Sequence, residues 1–434
     1  MQVGVTGRGL ACHTRRMASL SQFGRPVDEV IADLKAKRVD DLRWQDGKTF
    51  GMVYDGGPEV REVAERAAEL FLHENALNTK AFPSLGAIQS EVVGWTGGLL
   101  NGDSEVAGFL TSGGTESILC AVKASRERAK AERGITEPEM IVSASAHAAF
   151  HKGAHLFGIK LHKVPVDDEW RADVDAMAAL VNENTVLLVG SAPQYPQGVI
   201  DDIPSIAALA AEAGANCHVD ACMGGFVLPF AERLGREVLP WDFRVEGVTS
   251  ISADIHKLGY VPKGVSVILH RTRALRKYQT FVFDDWLGGF YASPNLQGTR
   301  SGLPMAAAWA VMQHLGIDGY VDLTRQTLEN ADRMRAGIAE IEGLRVLGDG
   351  AFHLVAMSFE PDDPEPLDMF ALADALVAKG WYHDRQGPPD SLHSTVSNTN
   401  TGAIDEYLEV LNATVAEVKG TSTEDRSTQY ATLE

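Results

Sequence analysis

From residue 106 onward, short apolar runs alternate with stretches whose apolar residues recur at helical spacing. The runs lie at 106–110, 140–143, 185–190 and 216–219, and the helical stretches at 115–130, 148–157 and 203–213. A strand that is apolar at every position is buried on both faces, so the alternation predicts βα units and a mostly parallel, doubly covered sheet. Two further β-prone runs, 248–252 and 265–269, are separated by a tight connection. Before residue 106 the chain reads as helices joined by short loops. Pro26 opens a pattern over 27–38, Pro58 opens one running to 72, and a third covers 85–100. Proline suits a first helical turn, where its missing N–H would be unpaired in any case. After residue 271 the pattern loosens into a turn-rich loop, 293–302, and then a helix at 303–314. A long helix at 319–341, strands at 344–347 and 353–359, a helix at 367–379 and a strand at 392–396 complete the pattern. The expected organisation is 1–16 a disordered or overlong start, 17–105 a helical segment, 106–317 a large α/β domain, 318–419 a small C-terminal α+β domain and 420–434 a frayed tail.

Composition narrows the partners. A hydrophobic content of 45% is that of a globular chain, and 39 Lys+Arg against 59 Asp+Glu leave a formal charge of −20, which speaks against nucleic acid or an anionic membrane surface. An anionic substrate therefore needs a locally positive pocket. No apolar run approaches the length of a membrane span, and the first residues carry Arg8, Arg15 and Arg16 without the apolar core of a secretory signal. Cys12, Cys120, Cys217 and Cys222 form no CxxC pair and match no zinc spacing, which favours reduced thiols and a cytoplasmic setting.

Sheets of this kind bind ligands beyond the carboxyl ends of their strands, so the polar residues after each strand carry the chemistry. In LTSGGTES (110–117), Gly113 and Gly114 let backbone N–H groups approach an anion at a helix start, and Thr115 adds a hydroxyl. An ordinary helix cap would look alike, and the missing GK[ST] disfavours a nucleoside triphosphate. NCHVDACMGG (216–225) puts Asp220 at the end of a buried strand, where it is either a helix cap or the partner of a cationic group such as a protonated pyridine nitrogen. In HAAFHKGAH (147–155), His147, His151 and His155 recur at every fourth residue, but no acidic ligand is interleaved. His147 alone is expected to face the site, and no metal is expected. In SISADIHKLGYVPKG (250–264), Lys257 follows His256 at the lip of the sheet, either as a solvated lysine or as an amine placed to form a Schiff base with an aldehyde. These features fall in chain order at successive strand ends. Together they supply what pyridoxal 5′-phosphate requires: an aldehyde-trapping lysine, a carboxylate for the ring nitrogen, a flat group for the ring face and an anion site for the phosphate.

On TSGGTESILCAVKA (111–124), SAPQYPQGVID (191–201), HVDACMGGFVLPF (218–230), the stretch 250–263 and KGWYHDRQGPPDSLHSTV (379–396), the chain resembles the fold-type I enzymes of the pyridoxal-phosphate group II decarboxylase superfamily. Within it, the similarity is greatest to the sphingosine-1-phosphate lyases. The agreement extends over nearly the whole chain. The resemblance implies an α/β fold with a mostly parallel seven-stranded sheet. It implies Lys257 as the Schiff-base lysine, Asp220 on the pyridine nitrogen, His147 against the ring, Cys222 beside it, and Gly113, Gly114, Thr115 and His256 around the cofactor phosphate. Tyr195 matches a tyrosine that assists proton transfer, Tyr54 one that reaches the site from a partner subunit, and Lys263 a lysine that binds the substrate phosphate. Thr299, in GTRSG, stands where the lyases have serine.

Two departures matter. The lyases carry NPLHPDIFP where this chain has NALNTKAFP (75–83), so Asn78 replaces a histidine that holds the substrate phosphate, and Ser301 replaces a proline. A neutral amide weakens charge-assisted binding of phosphate, which leaves Lys263 and Lys80 to compensate. The implied activity is retro-aldol cleavage of a phosphorylated long-chain amino alcohol to an aldehyde and phosphoethanolamine. The alternatives on the same scaffold are amino-acid decarboxylation and a non-catalytic cofactor-binding scaffold. The implied assembly is a soluble, bacterial-type homodimer with shared active sites.

Overall fold

The computed structural model describes residues 19–350, 352–361, 363 and 366–428, and the expected disordered or overlong start, 1–16, lies outside them. The chain divides into two compact units, the first ending at Arg43 and the second starting at Trp44. In the first, the helix Val27–Ala36 follows Pro26, and its Val27, Val30, Ile31 and Leu34 share one face, yet none of its residues is buried.

The second unit is built on a seven-stranded sheet of β1 (Ala107–Thr111), β2 (Glu139–Ser143), β3 (Lys160–Val164), β4 (Thr185–Ser191), β5 (Asn216–Asp220), β6 (Val248–Ala253) and β7 (Ser266–His270). Their order is β1-β7-β6-β5-β4-β2-β3. β7 runs antiparallel to both β1 and β6, and the other neighbours are parallel. β2, β4, β5 and β7 are buried at every position, which is why they read as unbroken runs rather than alternating ones. The sequence pattern gives no sign of β3. It is one of the two edge strands, and its exposed Lys160 and Lys163 break any apolar run.

A smaller, wholly antiparallel sheet places Leu344–Leu347, Leu354–Phe359, Ser391–Thr395 and Asp384–Gln386 side by side in that order. Its core includes residues of the helices Met369–Ala378 and Ile404–Val418 and also Phe50, whose ring lies 5.9 Å from Trp381 and 4.9 Å from Tyr407. The backbone at Thr49 bridges to Tyr382, so part of the N-terminal segment belongs to this core, while Val60, Leu85 and Val92 join the core of the large sheet. The helices expected at 303–314 and 319–341 are one element, Leu303–Ala339, interrupted at Gly316, whose φ of 55° is not helical. Residues 421–428 form no regular element. Even so, Arg426 pairs with Asp368 at 2.7 Å and also with Asp390, which ties this part of the expected frayed tail to the small sheet's side of the unit.

Candidate active site

Several strand ends of the large sheet open on a cavity of about 360 Å³. β6 delivers Asp254 and Lys257 to it, and the chain returns as β7. The connection is closed at its base: Ser266 Oγ donates to Asp254 Oδ1 at 2.6 Å, and the His256 N–H donates to the Val265 carbonyl at 3.2 Å. Lys257 Nζ lies 2.9 Å from Asp254 Oδ2, with side-chain exposures of 16% for the lysine and 3% for the aspartate, so this is a buried amine rather than a solvated one. Burial pushes the Asp254 carboxyl up, but Lys257, His256 and Ser266 together bring it below its ordinary value, and it stays charged. Asp254 stands in the quoted motif, and the sequence assigns it nothing. Only the fold shows that it faces inward.

Asp220 closes β5. Its Oδ1 accepts from the Cys222 N–H at 3.1 Å and from Ser252 Oγ at 3.3 Å. Behind it, His218 Nε2 lies 3.1 Å from Ser252 Oγ and Nδ1 lies 2.9 Å from Ser250 Oγ, and burial pulls this imidazole down to about 4. The next helix, Leu228–Arg233, begins after Val227, so Asp220 is not its cap. Cys222 is buried beside Ser252, and burial holds its thiol well above the usual range.

His147 precedes the helix Ala149–Phe157, and its Nδ1 accepts the Ala149 N–H at 3.1 Å, so in the neutral ring the proton sits on Nε2. Burial lowers its pKa and favours that neutral form. His151 and His155 lie on the helix and are exposed. The glycine turn opens the helix Gly114–Arg133. A Cβ on Gly114 would lie 2.8 Å from both Asp254 oxygens and from Cys222 Sγ, so only glycine keeps this surface open to a ligand's approach. Glu116, buried in the first turn, braces the same loop. It accepts the Ser112 N–H at 2.6 Å, the Leu296 N–H at 2.9 Å and the Gln297 N–H at 3.3 Å. An acidic residue in a first turn is legible in sequence, but its inward aim is not.

Lys263 stands at the cavity mouth, where its Nζ donates to the His256 carbonyl at 2.9 Å and lies 4.7 Å from the centre of the Tyr54 ring. Lys263 keeps part of its surface in solvent, but the protein packed around it and then the charge of Lys257 pull its ammonium down to about 8, against the pull of Asp254. Tyr54, expected to serve a partner's site, thus meets Lys263 of its own chain. His256 Nδ1 donates to the Val265 carbonyl at 2.9 Å, and burial lowers this imidazole too.

Tyr195 follows β4. With His147, Asp220 and Lys257 it walls a narrow space of about 20 Å³, and its Oη donates to Asp384 Oδ2 at 2.6 Å. Tyr195 and His147 also wall a second cavity, of about 520 Å³, that reaches the strand Asp384–Gln386. Asn78, Lys80 and Thr299 are exposed and line neither cavity; Asn78 Oδ1 instead accepts the Lys80 N–H at 2.9 Å.

The pattern of the pyridoxal-dependent decarboxylase conserved domain matches residues 28–360. The chain belongs to the pyridoxal-dependent decarboxylase family. Among members of this family, it is 41% identical over 399 residues to the sphingosine-1-phosphate lyase of Arabidopsis thaliana, covering 90% of this chain and 72% of the relative. It is 42% identical over 384 residues to sphingosine-1-phosphate lyase 1 of Rattus norvegicus, covering 88% of this chain and 66% of the relative. The solved sphingosine-1-phosphate lyase of Burkholderia pseudomallei superposes with a TM-score of 0.89 at 39% identity, covering 94% of this chain and 95% of that one. The family's cofactor is pyridoxal 5′-phosphate, and the cavity fits it: a side-chain-free cradle at a helix start, a buried carboxylate at Asp220 and a buried amine at Lys257 converge on one space.

Proposed function

We propose that the protein is a pyridoxal-phosphate-dependent carbon–carbon lyase that cleaves a phosphorylated long-chain amino alcohol, similar to sphingosine-1-phosphate, into an aldehyde and phosphoethanolamine. The observation that carries this reading is the second lysine. Lys263 lines the same cavity as Lys257, so the site holds one amine for the cofactor and another cation for the anionic end of a substrate. The similarity to sphingosine-1-phosphate lyases across about nine-tenths of the chain supports the same activity.

In this reading Lys257 is the amine that would hold the cofactor through its aldehyde. Asp220 keeps the pyridine nitrogen protonated, His147 and Cys222 bound the ring, and Gly113, Gly114, Thr115 and His256 hold the phosphate. When bound, the cofactor supplies the electron sink for the pair released as the carbon–carbon bond breaks. Tyr195 takes the proton of the substrate's 3-hydroxyl, and Lys263 holds the substrate phosphate. Tyr54, against Lys263, steadies that lysine by a cation–π contact.

A homodimer accounts for what one chain leaves outside the cavity. Asn78 and Thr299 are exposed, and so is the strand Phe281–Phe283 of the hairpin it forms with Tyr291–Ser293, with Phe281, Phe283, Trp286 and Phe290 open to solvent. An exposed apolar patch is what a second subunit would cover, and it would bring these residues to the neighbouring site. The buried free thiols at Cys120, Cys217 and Cys222 suit the cytoplasm, and no described helix is long and apolar enough to cross a membrane.

The test is to incubate the purified holoenzyme with sphingosine-1-phosphate or a short-chain analogue and measure aldehyde. Carbon dioxide released from an amino acid, with no aldehyde from the phosphorylated amine, overturns the lyase reading in favour of decarboxylation. Borohydride reduction followed by peptide mapping should place the cofactor adduct on Lys257.

A further inference from the structure

A carbon–carbon lyase must remove a proton from the substrate hydroxyl, and a phenol at neutral pH is a poor base because it already carries its own proton. Tyr195 needs somewhere to put it. Its Oη points at Asp384 Oδ2, 2.6 Å away, and Tyr382 Oη donates to the other carboxylate oxygen at 3.1 Å. Asp384 is only 6% exposed, on a strand of three residues in the small sheet, and among the described residues no ion pair reaches it. Its remaining neighbours supply no settled cation. His393, directly opposite on the adjoining strand, is pulled down to about 3 by burial, and its ring lies 3.9 Å from that of Tyr195. His383, the preceding residue, is likewise held near 3, and the Arg385 guanidinium is committed to Asp374 and Asp425. A buried carboxylate with two phenol donors and no cation is costly to keep charged. Burial raises its pKa, against the hydrogen bonds from Tyr195 and Tyr382.

We infer that Asp384 is the proton acceptor behind Tyr195, a positioning residue that makes the phenol act as a base in the lyase reaction proposed above. The proton of the 3-hydroxyl moves to the Tyr195 oxygen as the Tyr195 proton moves to Asp384 Oδ2. The O–H pair becomes the second bond of the aldehyde carbonyl, and the pair of the broken carbon–carbon bond leaves with the amine-bearing carbon. That carbon must regain one proton, so the step nets none, and the proton parked on Asp384 returns through Tyr195. Tyr195 is placed for this exchange because it walls the narrow space it shares with Lys257 and also the cavity that reaches Asp384.

Two measurements test the inference. In the holoenzyme acting on sphingosine-1-phosphate, D384N keeps the shape of the side chain and loses its basicity. It should lower kcat on the order of 100-fold with KM and cofactor absorbance unchanged, D384E should recover at least about tenfold, and D384N should cost little more once Tyr195 is already phenylalanine. A D384N loss of the same size in the Y195F background, or an unchanged kcat, overturns the relay. In the apo-protein, 3-fluorotyrosine at position 195 followed by fluorine NMR should titrate at a lower pH in D384N than in the native sequence, because the carboxylate that opposes phenolate is gone. Equal titration overturns the coupling. This second readout needs no turnover, so a protein that releases carbon dioxide and no aldehyde ends the lyase reading while the Tyr195–Asp384 coupling is still decided.

Discussion

Replacing Asp254 by asparagine should expose how the fold keeps a buried amine charged. Lys257 Nζ and Asp254 Oδ2 are 2.9 Å apart, and at an effective dielectric of about 20 two unit charges at that distance attract by about 6 kcal/mol. Desolvation offsets much of this, and removing one partner of a buried pair costs about 3–5 kcal/mol because the other charge is left behind. A ceiling comes from the lysine itself. It can shed its proton instead, which from an ordinary value of about 10.4 costs about 4.6 kcal/mol at pH 7. D254N should therefore destabilise the apo-protein by about 3–5 kcal/mol at pH 7, measured by urea unfolding. The pH dependence gives the sharper signature. In D254N the lysine's folded pKa falls below its unfolded value, the unfolded chain binds more protons between the two, and stability rises with pH through that window. In the native sequence Asp254 is the depressed group, so its contribution is complete above the unfolded carboxylate value of about 3.9 and is lost only as pH falls through the folded one. The deficit of D254N should thus shrink between pH 7 and about pH 9.5. A deficit below about 1 kcal/mol, or one of equal size at both pH values, would refute the charge pair as the reason Asp254 is buried there.

Other substitutions probe the rest of the site. K263Q removes a charge-assisted contact worth about 1.5–3 kcal/mol, so KM for the phosphorylated substrate should rise ~10–150-fold with kcat little changed. Because Lys263 loses its proton as pH rises through about 8, native KM should climb above that pH while K263Q stays flat, and parallel profiles would reject the assignment. G114A sets a methyl carbon 2.8 Å from Asp254 and Cys222, so cofactor affinity read from visible absorbance should fall at least ~10-fold; undiminished affinity would show that the cradle lies elsewhere. E116Q faces three backbone donors with only one carbonyl oxygen, so apo stability should drop by about 1–3 kcal/mol in a denaturant titration, and no drop would remove Glu116 as the brace of the turn.

The large sheet was legible because burial on both faces writes itself as unbroken apolar runs, and β2, β4 and β5 stand where those runs fall. β3 was hidden because an edge strand can carry lysines, and Asp384–Gln386 because a polar strand of three residues has no period to detect. Lys257, Asp220 and the glycine turn could be read as residues at strand ends, and the structure places them around one cavity. The inward aim of Asp254, Glu116 and Asp384 was not legible, although each lies within or beside a motif that was read. A carboxylate in sequence carries no sign of whether it faces water, and the ordinary expectation is that it does. Their inward aim follows from partners distant in the chain: Ser266 for Asp254, Leu296 for Glu116 and Tyr195 for Asp384.

The hairpin from β6 to β7 explains why the proposed cofactor lysine and the proposed substrate lysine come from one stretch of chain. An antiparallel return brings both ends of the connection back to the same edge of the sheet, where Ser266 is bound to Asp254 and Val265 to His256. Lys257 leaves from the start of that closed loop, and Lys263 folds back to the His256 carbonyl, so both amines are referenced to the same residue pair, Asp254 and His256. A parallel connection would instead have led away into a crossover, usually a helix, before the next strand. The closure also sets the electrostatics. Asp254 favours the charged form of Lys263, while burial and Lys257 oppose it, which holds Lys263 near 8 as a cation that still titrates. Loss of Asp254 therefore weakens the hold on both amines at once, whereas loss of Lys263 leaves Lys257 with its carboxylate, and the two lesions should differ in whether cofactor loading falls together with substrate affinity.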